Sequence, residues 1–304
     1  MPQFLDWFVD REKQYQGFLK MIARETPKQI MLVEAPAGMG KTWLIQRLRH
    51  ECRARQIPVA LFDFRDRRPW DYLTLVRQAR DQLGPGHFNA MTAVINAATS
   101  VEVRVTPGEA AGGAGSGGVE MHLATEGGAI TDSEIQVGDV AGGHIIKDNF
   151  FVVRADSETV RRSIEVRITD AFFTCLAQLA ADQVVAFLFD SYEEITQEAD
   201  RWIQAQFLAR IRDGLLPNLV TVLAGRENLP DLSSGWEHCV ARTGLAPFDL
   251  EHVTEYLREK RKLTELSPEE IALLVQASGG TPGLLGTLAD NLAVESESDD
   301  GDWL

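Results

Sequence analysis

Two hydrophobic patterns alternate along the chain. Short continuous apolar runs, which are typical of strands buried on both faces of a sheet, occur at 29–34, 57–64, 184–190 and 219–225, with a fifth candidate at 238–245. Apolar residues that recur every three or four positions predict helices at 8–25, 70–83, 172–179, 202–211, 250–263, 268–277 and 284–294. Strands that alternate with helices predict an α/β protein whose mainly parallel sheet is flanked by helices on both faces.

The first predicted strand leads directly into a glycine-rich loop, Ala35–Thr42, with the sequence APAGMGKT. Gly38 and Gly40 lack a Cβ, so the backbone is free to take positive φ and to turn its N–H groups toward an anion. Lys41 is placed to reach the β- and γ-phosphates of a nucleotide, and the Thr42 hydroxyl is placed to coordinate Mg²⁺. The predicted nucleotide-binding residues of this segment are Ala37, Gly38, Met39, Gly40, Lys41, Thr42 and Trp43.

One position departs from the strict phosphate-loop pattern G-x-x-x-x-G-K-[ST], because Ala35 stands where the first glycine is expected. The order of strand, loop, Lys-Thr pair and helix is nevertheless the one that phosphate binding requires. The helix that follows the loop would present its N-terminus to the phosphates, where negative charge is favoured. We therefore predict a P-loop NTPase core.

A second apolar run, 184–190, ends in acidic residues. An aspartate at the carboxyl end of a buried strand, here Asp190, lies beside the phosphate loop and holds Mg²⁺ through water. Glu193 is predicted to orient and deprotonate an attacking water, and Glu194 is the competing candidate for this base. The predicted metal ligands are therefore Thr42 and Asp190.

The α/β pattern breaks between residues 100 and 163, where a Gly-rich linker at 107–118 lies among short alternating segments. These segments, at 101–105, 119–123, 134–137 and 145–153, predict a small β-rich insertion that offers a contact surface. The expected organisation is an NTPase core in two halves, 1–99 and 164–246, the insertion at 100–163, a C-terminal helical lid at 247–294 and an acidic, disordered tail at 295–304.

The starts of three helices are also predicted from one or two residues each. Asp170 is expected to cap the helix that precedes the acidic strand. Ser267 and Glu270 have the spacing of a capping box, and Pro282 suits the first turn of the final helix.

Composition and charge restrict the function further. The 304 residues carry a net charge of −15, which argues against direct binding to nucleic acid or to an anionic membrane. The start of the sequence has no basic segment typical of a signal peptide, and no apolar stretch approaches the ~20 residues of a membrane span. Three widely spaced cysteines and the lack of a Cys/His cluster predict a reduced, cytoplasmic protein without a structural metal.

Taken together, these features resemble the signal-transduction ATPases with numerous domains (STAND), a branch of the AAA-like P-loop ATPases. Five features match in order: Phe8 with Arg11, the loop Ala35–Thr42, the acidic segment 189–194, Gly225 with Arg226, and Gly280 with Pro282. The resemblance implies that Arg226 senses the γ-phosphate and that Gly280 and Pro282 pack near the adenine. Arg11 either contacts the nucleotide or caps a helix. The sensing, effector and repeat domains usual in the family do not occur in this sequence, and the insertion is not part of the family's common core.

The function that follows is an ATP-binding molecular switch that hydrolyses ATP slowly with Mg²⁺ and acts in signalling or defence through a homo-oligomer or an effector protein. Lys41, Asp190, Glu193 and Arg226 are its expected catalytic residues. Three alternatives remain open: a non-hydrolysing nucleotide-binding adaptor, a DNA-handling loader and a small-molecule kinase. Three arginines after the second strand, Arg65, Arg67 and Arg68, are either a finger that acts on a neighbouring subunit or a solvated basic turn.

Overall fold

The structure, a computed structural model, describes residues 8–66, 68–99, 102–104, 122–125, 128–129, 158–227 and 229–299. It divides into two compact units, of which the first comprises Met1–His87 and Leu176–Leu304 and the second Phe88–Cys175. All the residues of the predicted nucleotide site belong to the first unit.

The described elements follow one another in the order β1, β2, then three short strands, then β6 to β8, with helices between them. The strands are β1 (Ile30–Glu34), β2 (Val59–Asp63), β3 (Glu102–Arg104), β4 (His122–Thr125), β5 (Gly128–Ala129), β6 (Val185–Asp190), β7 (Leu219–Gly225) and β8 (Val240–Gly244). The α-helices are α1 (Glu12–Ile22), α2 (Lys41–Ala54), α3 (Tyr72–Leu83), α4 (Asn89–Thr99), α5 (Glu158–Leu179), α6 (Gln197–Trp202), α7 (Ala209–Arg212), α8 (Leu250–Thr254), α9 (Pro268–Ser278) and α10 (Pro282–Asp299). A π-helical segment, Ile203–Leu208, joins α6 to α7, and a second, Glu255–Lys260, continues α8.

Five strands of the first unit form one sheet in the order β2-β6-β7-β1-β8, and every neighbouring pair is parallel. This sheet confirms the predicted α/β class, and β8 confirms the fifth candidate strand. Because all the strands run in one direction, their carboxyl ends meet at one edge, where Asp63 lies opposite Asp190 and Glu34 lies between Gly225 and Gly244. Ligands of open α/β sheets bind beyond this edge.

One face of the sheet is covered by α1 and α2 through an aliphatic core. Leu44, Ile45 and Leu48 of α2 are fully buried in the same cluster as Val33 of β1 and Leu188 of β6. Successive residues of a strand point to opposite faces, so Leu188 faces this core while its neighbours in β6 face the other side. The packing fixes α2, and with it the loop that precedes α2, against the central strands.

The opposite face is aromatic. Phe62 of β2 stacks on Phe189 of β6 with ring centroids 5.0 Å apart, and Phe187 lies 4.8 Å from Phe207 of the first π-helical segment. Trp70 meets the edge of Phe62 at 6.3 Å. Aromatic pairs at such separations each stabilise a fold by roughly 0.5–1.5 kcal/mol beyond the area they bury, so this face holds β2 and β6 together near the carboxyl edge.

The helices after β8 form a second, smaller core. Val253, Ile271 and Leu285, from α8, α9 and α10, are buried together, and Val9 from the segment before α1 packs into the same cluster. The N-terminal segment is therefore part of the C-terminal helical layer. The predicted capping box at the start of α9 is confirmed, since Ser267 and Glu270 each bond the other's backbone N–H.

The backbone of this helical layer comes very close to the segment that follows β8. Gly280 has φ of +70°, and its carbonyl accepts a hydrogen bond from the Phe248 backbone N–H at 2.8 Å. A Cβ on Gly280 would lie only 2.1 Å from the Phe248 carbonyl oxygen. Pro282 then begins α10, as predicted.

The structure differs from the sequence prediction at one helix. Asp170 does not cap a helix but lies inside α5, which begins at Glu158, and its carbonyl accepts a bond from the Thr174 hydroxyl. The residues before Phe172 lack a continuous apolar stripe, so the local capping preference of aspartate was the only sequence signal, and the longer helix overrides it. The boundary expected at residue 163 falls within this helix.

The acidic end of the chain also differs from expectation. Helix α10 continues to Asp299, so residues 295–299 are helical rather than disordered. Once a helix is nucleated, each added residue gains a hydrogen bond, and this lets it extend into a polar segment. Residues 300–304 lie outside the described residues.

Parts of the predicted β-rich insertion are described. Strands β3, β4 and β5 form an antiparallel sheet, in which Val103 pairs with Leu123 and Ala124 with Ala129. The expected strands at 134–137 and 145–153 lie outside the described residues. Helix α4, which precedes the insertion, had no counterpart in the sequence prediction.

We expect Gly280→Ala to destabilise the protein more than Gly279→Ala. Both glycines have positive φ, so both variants carry the strain of an alanine in that region, about 1 kcal/mol. A Cβ on Gly279 meets nothing within 4 Å, whereas a Cβ on Gly280 overlaps the Phe248 carbonyl. We expect Gly280→Ala to lower the free energy of unfolding by roughly 3 kcal/mol, measured by denaturant titration. Equal losses in the two variants would contradict the close approach.

Candidate active site

The glycine-rich loop has the backbone that phosphate binding requires. Gly38 and Gly40 both take positive φ, +77° and +86°, and Gly40 is the residue immediately before α2. No atom lies within 4 Å of a Cβ placed on Gly40, so its conformation rather than the available space favours glycine there. Pro36, Ala37 and Gly38 are exposed, which leaves the loop accessible to a ligand.

Lys41 is folded back onto the loop that precedes it. Its Nζ donates to the carbonyl oxygens of Ala35 at 2.5 Å and Pro36 at 2.8 Å, and the residue is buried. Burial lowers the pKa of the Lys41 ammonium, and the charge of Arg226 acts in the same direction, while Glu193 and Asp190 oppose them. The backbone carbonyls of residues 35 and 36 thus order the lysine, and this contact does not depend on alanine in place of the first glycine of the pattern.

Asp190 and Thr42 lie together at the carboxyl edge of the sheet. The Asp190 carboxylate is 2% exposed, is hydrogen-bonded to Thr42 and accepts a bond from the Ser191 backbone N–H at 2.8 Å. Burial raises the pKa of Asp190, and these hydrogen bonds offset the rise only in part. A buried carboxylate beside a hydroxyl is a donor set that fits Mg²⁺, which takes one or two protein oxygens and completes its shell with water and phosphate. The residues therefore fit the predicted metal.

Glu193 follows Asp190 on a short 3₁₀ turn, Tyr192–Glu194, which a left-handed Ser191 introduces with φ of +55°. Its carboxylate accepts from Arg226 twice, from the side-chain Nε at 3.0 Å and from the backbone N–H at 3.1 Å. The Glu193 side chain is only 10% exposed. Glu194 is exposed, so the structure places Glu193, the preferred base, in the site and Glu194 at the surface.

Asp63 and Arg65 form a further part of this edge, although the sequence alone indicates for Arg65 only a finger or part of a solvated turn and does not single out Asp63. Arg65 donates to Asp63 through Nε at 2.9 Å and Nη2 at 2.7 Å, and the same Nη2 lies 3.5 Å from Asp190 Oδ2. Burial opposes ionisation of Asp63, but the hydrogen bonds and charge of Arg65 outweigh it and lower the pKa of Asp63. The neighbouring Arg68 pairs with Asp66 at 2.7 Å on the surface, and residue 67 lies outside the described residues.

The turn before α10 touches the phosphate loop. The Gly283 backbone N–H donates to the Gly38 carbonyl at 2.9 Å, and a Cβ on Gly283 would lie 3.1 Å from the Gly38 Cα. A Cβ on Gly38 would meet the Thr281 methyl at 3.0 Å. The structure thus brings the turn that carries Gly280 and Pro282 to the loop, through the neighbouring residues Thr281 and Gly283.

Arg11 links three segments. It has φ of +79° at the start of α1 but makes no side-chain capping bond; instead Nη2 donates to the Met39 carbonyl at 3.0 Å. Its guanidinium lies 5.1 Å from the centroid of the Phe248 ring and pairs with Asp10. Burial lowers the pKa of Arg11, with the charge of Asp10 opposing it. Of the two sequence-based alternatives, helix capping by the side chain is not what the structure shows.

The remaining predicted residue, Trp43, lies in the first turn of α2 and is 40% exposed. The residues of the site that sequence reasoning missed are Asp63, Phe248, Thr281 and Gly283. The signal for Asp63 was present, since it lies one residue before the end of the second predicted strand, 57–64, and Asp190 ends another; parallel strands bring such ends together.

Among known proteins, solved structures of low similarity to this chain were found. No protein-family model and no curated protein match the sequence. Solved structures with a similar chain path include Cdc6p from Pyrobaculum aerophilum (11% identity, TM-score 0.48, 94% of this chain and 62% of that one) and a RuvB variant from Thermotoga maritima (11%, 0.44, 99% and 68%). A chain of the HORMA:CdnC:Trip13 complex from E. coli MS115-1 is a third (12%, 0.42, 91% and 76%). At these values nothing follows about activity or partners.

Two features do not occur in the described ranges. None of their helices combines the length and apolar character needed to cross a bilayer. Nor do those ranges contain a group of three or more His, Cys, Asp and Glu side chains placed to hold a metal ion.

We expect Arg11→Lys to lower the free energy of unfolding by about 1–2 kcal/mol, because lysine cannot both donate to Met39 in this geometry and stack on Phe248. The exposed Arg53, changed to lysine in the same way, is the matched control and should shift stability by less than about 0.5 kcal/mol. Thermal or denaturant unfolding measures both. If Arg11→Lys left the free energy of unfolding unchanged, the contacts of Arg11 with Met39, Phe248 and Asp10 would contribute no stability.

Proposed function

We propose that this protein is an ATP-binding molecular switch that hydrolyses ATP slowly, of the STAND type that the sequence resembles. One observation supports the proposal most strongly: a loop with two left-handed glycines, Lys41, and the carboxylates of Asp190 and Glu193 meet at the carboxyl edge of a parallel sheet. Phosphoryl transfer depends on charge neutralisation and positioning, and these are the groups that provide both.

The loop would bind the phosphates. Its backbone N–H groups and the N-terminus of α2 favour an anion, and Lys41 would exchange the carbonyls of Ala35 and Pro36 for phosphate oxygens. An ammonium that burial has already desolvated gains more from such a partner than one in water does. The preference for ATP rests on the resemblance.

Thr42 and Asp190 would hold Mg²⁺. When bound, the ion would neutralise charge that develops on the phosphates. The Asp190 carboxylate is buried and fixed by Thr42 and by the Ser191 N–H, so little reorganisation would accompany binding. Its position at the tip of β6 keeps it beside the loop.

Glu193 would act as the general base and Arg226 as the γ-phosphate sensor. In the structure Arg226 and Glu193 bind each other, which orders the Glu193 carboxylate but also occupies both of its oxygens. For Glu193 to orient water, Arg226 would have to turn toward another anion, and a γ-phosphate is such an anion. Arg226 is half exposed and has room to move.

The contact between Gly283 and Gly38 would transmit the state of the loop to the C-terminal helices. A phosphate bound in the loop changes the surroundings of Gly38, and the helical layer that contains α10 responds because its first turn rests there. The outcome of this response would be a changed contact with another copy of the chain or with an effector protein. The net charge of −15 disfavours nucleic acid as that partner.

A second function is favoured by the same ion pair. If Arg226 never releases Glu193, the chain binds nucleotide without hydrolysing it and serves as an adaptor whose conformation nucleotide stabilises. Hydrolysis would then be absent from the isolated protein, while binding through Lys41 would remain.

We expect Glu193→Gln to reduce Mg²⁺-dependent ATP turnover by ~10²–10⁴-fold, since the amide cannot accept the proton of the attacking water. Glu194→Gln, an isosteric change at the exposed neighbour, is the matched control and should leave turnover within about twofold. ATP affinity should be similar in both variants and in the unsubstituted protein. Phosphate release under single-turnover conditions measures the rates.

Equal turnover in the two variants would exclude Glu193 as the base. No turnover in any form, with ATP still bound, would favour the adaptor over the hydrolysing switch.

A further inference from the structure

The predicted metal site already contains a cation of the chain itself. Arg65 Nη2 lies between two carboxylates, 2.7 Å from Asp63 Oδ2 and 3.5 Å from Asp190 Oδ2. Asp63 and Asp190 are register partners at the ends of β2 and β6, so their relative position is fixed by the sheet. A guanidinium in this place provides the positive charge that a buried Asp190 would otherwise obtain from a metal ion.

Asp63 is what holds Arg65 there. Three hydrogen bonds join the two residues: Nε to Oδ1 at 2.9 Å, Nη2 to Oδ2 at 2.7 Å, and the Arg65 backbone N–H to Oδ1 at 3.1 Å. A forked pairing of this kind fixes the plane of a guanidinium better than a single contact does. The contact with Asp190, at 3.5 Å, is the longer of the two and is the one that can be given up without freeing the arginine.

The three side chains differ in exposure, and this decides whether Arg65 or Asp190 can move. The side chains of Arg65 and Asp63 are 51% and 39% exposed, whereas that of Asp190 is 2% exposed. Arg65 can therefore swing toward solvent while Asp190 stays in place. The site can exchange one cation for another without rearrangement of the sheet.

We propose that Arg65, tethered by Asp63, competes with the divalent cation for Asp190 and so prevents the site from taking up metal by itself. The proposal rests on the metal site of the proposed function. It gives Arg65 a role within its own chain, in contrast to a finger that acts on a neighbouring subunit or a solvated turn. Metal uptake then requires displacement of the guanidinium.

The test is binding of Mn²⁺ alone to the full chain, without nucleotide, measured from the EPR signal of free Mn²⁺. Arg65→Gln removes the competing charge and leaves Asp63 and Asp190 in place. We expect its dissociation constant for Mn²⁺ at this site to fall about tenfold, the order expected when a half-exposed unit charge is removed from beside the Asp190 carboxylate. Arg68→Gln removes the same charge from the same turn but from the partner of Asp66, and it should change the constant by less than about twofold.

Two further variants locate the effect. Adding Asp190→Asn to Arg65→Gln should abolish the gain, because the metal then loses the ligand for which Arg65 competes. Arg65→Lys keeps the charge without the fork and should give an intermediate constant; it also tests the proposal if the glutamine variant does not fold. Thermal unfolding of each variant establishes that it is folded.

The proposal is overturned if Arg65→Gln binds Mn²⁺ no more tightly than Arg68→Gln, because net charge would then account for the effect. It is also overturned if the gain survives Asp190→Asn, because the metal would then bind elsewhere. Neither outcome depends on nucleotide binding or turnover, so failure of this proposal is distinguishable from failure of the proposed ATPase.

Discussion

The buried carboxylate of Asp190 is the constraint on which the site depends. A parallel sheet places it at the carboxyl edge, and the packing on both faces of β6 leaves it 2% exposed. An ionised carboxylate in such a place needs hydrogen bonds and a nearby cation. Thr42, the Ser191 N–H and Arg65 supply them here, and each comes from a different element around the edge. The phosphate loop, the 3₁₀ turn and the end of β2 are thus organised around one side chain.

A second constraint is the close approach of backbone to backbone in the C-terminal layer. Gly283 contacts Gly38 of the phosphate loop, and Gly280 contacts Phe248, in both cases at distances that exclude a larger residue without a shift. Arg11 lies over the Phe248 ring and also donates to the loop. These contacts place the loop and the helical layer directly against each other. A ligand bound in the loop would therefore act directly on the helices.

Much of the fold was predictable because apolar runs and helical spacing are local signals. The strand order was not: β1 lies between β7 and β8, and only long-range pairing decides this. The same limit explains the site. Gly40 and Lys41 can be identified from a local sequence motif, whereas the position of Arg65 depends on Asp63 and Asp190 meeting across two strands. Asp170 shows the converse error, in which a local capping preference was overridden by a longer helix.

Calorimetric titration of the purified chain with ATP and Mg²⁺, beside the variant Lys41→Ala, decides whether the loop binds nucleotide. We expect saturable one-to-one binding to the unsubstituted protein and a loss of affinity of at least about 100-fold in the variant, because a desolvated charge–phosphate contact is removed. Nucleotide released on denaturation should likewise be present in the first and missing from the second. Binding that is absent from both proteins, or that is equal in both, would contradict the assignment of this loop as a nucleotide site.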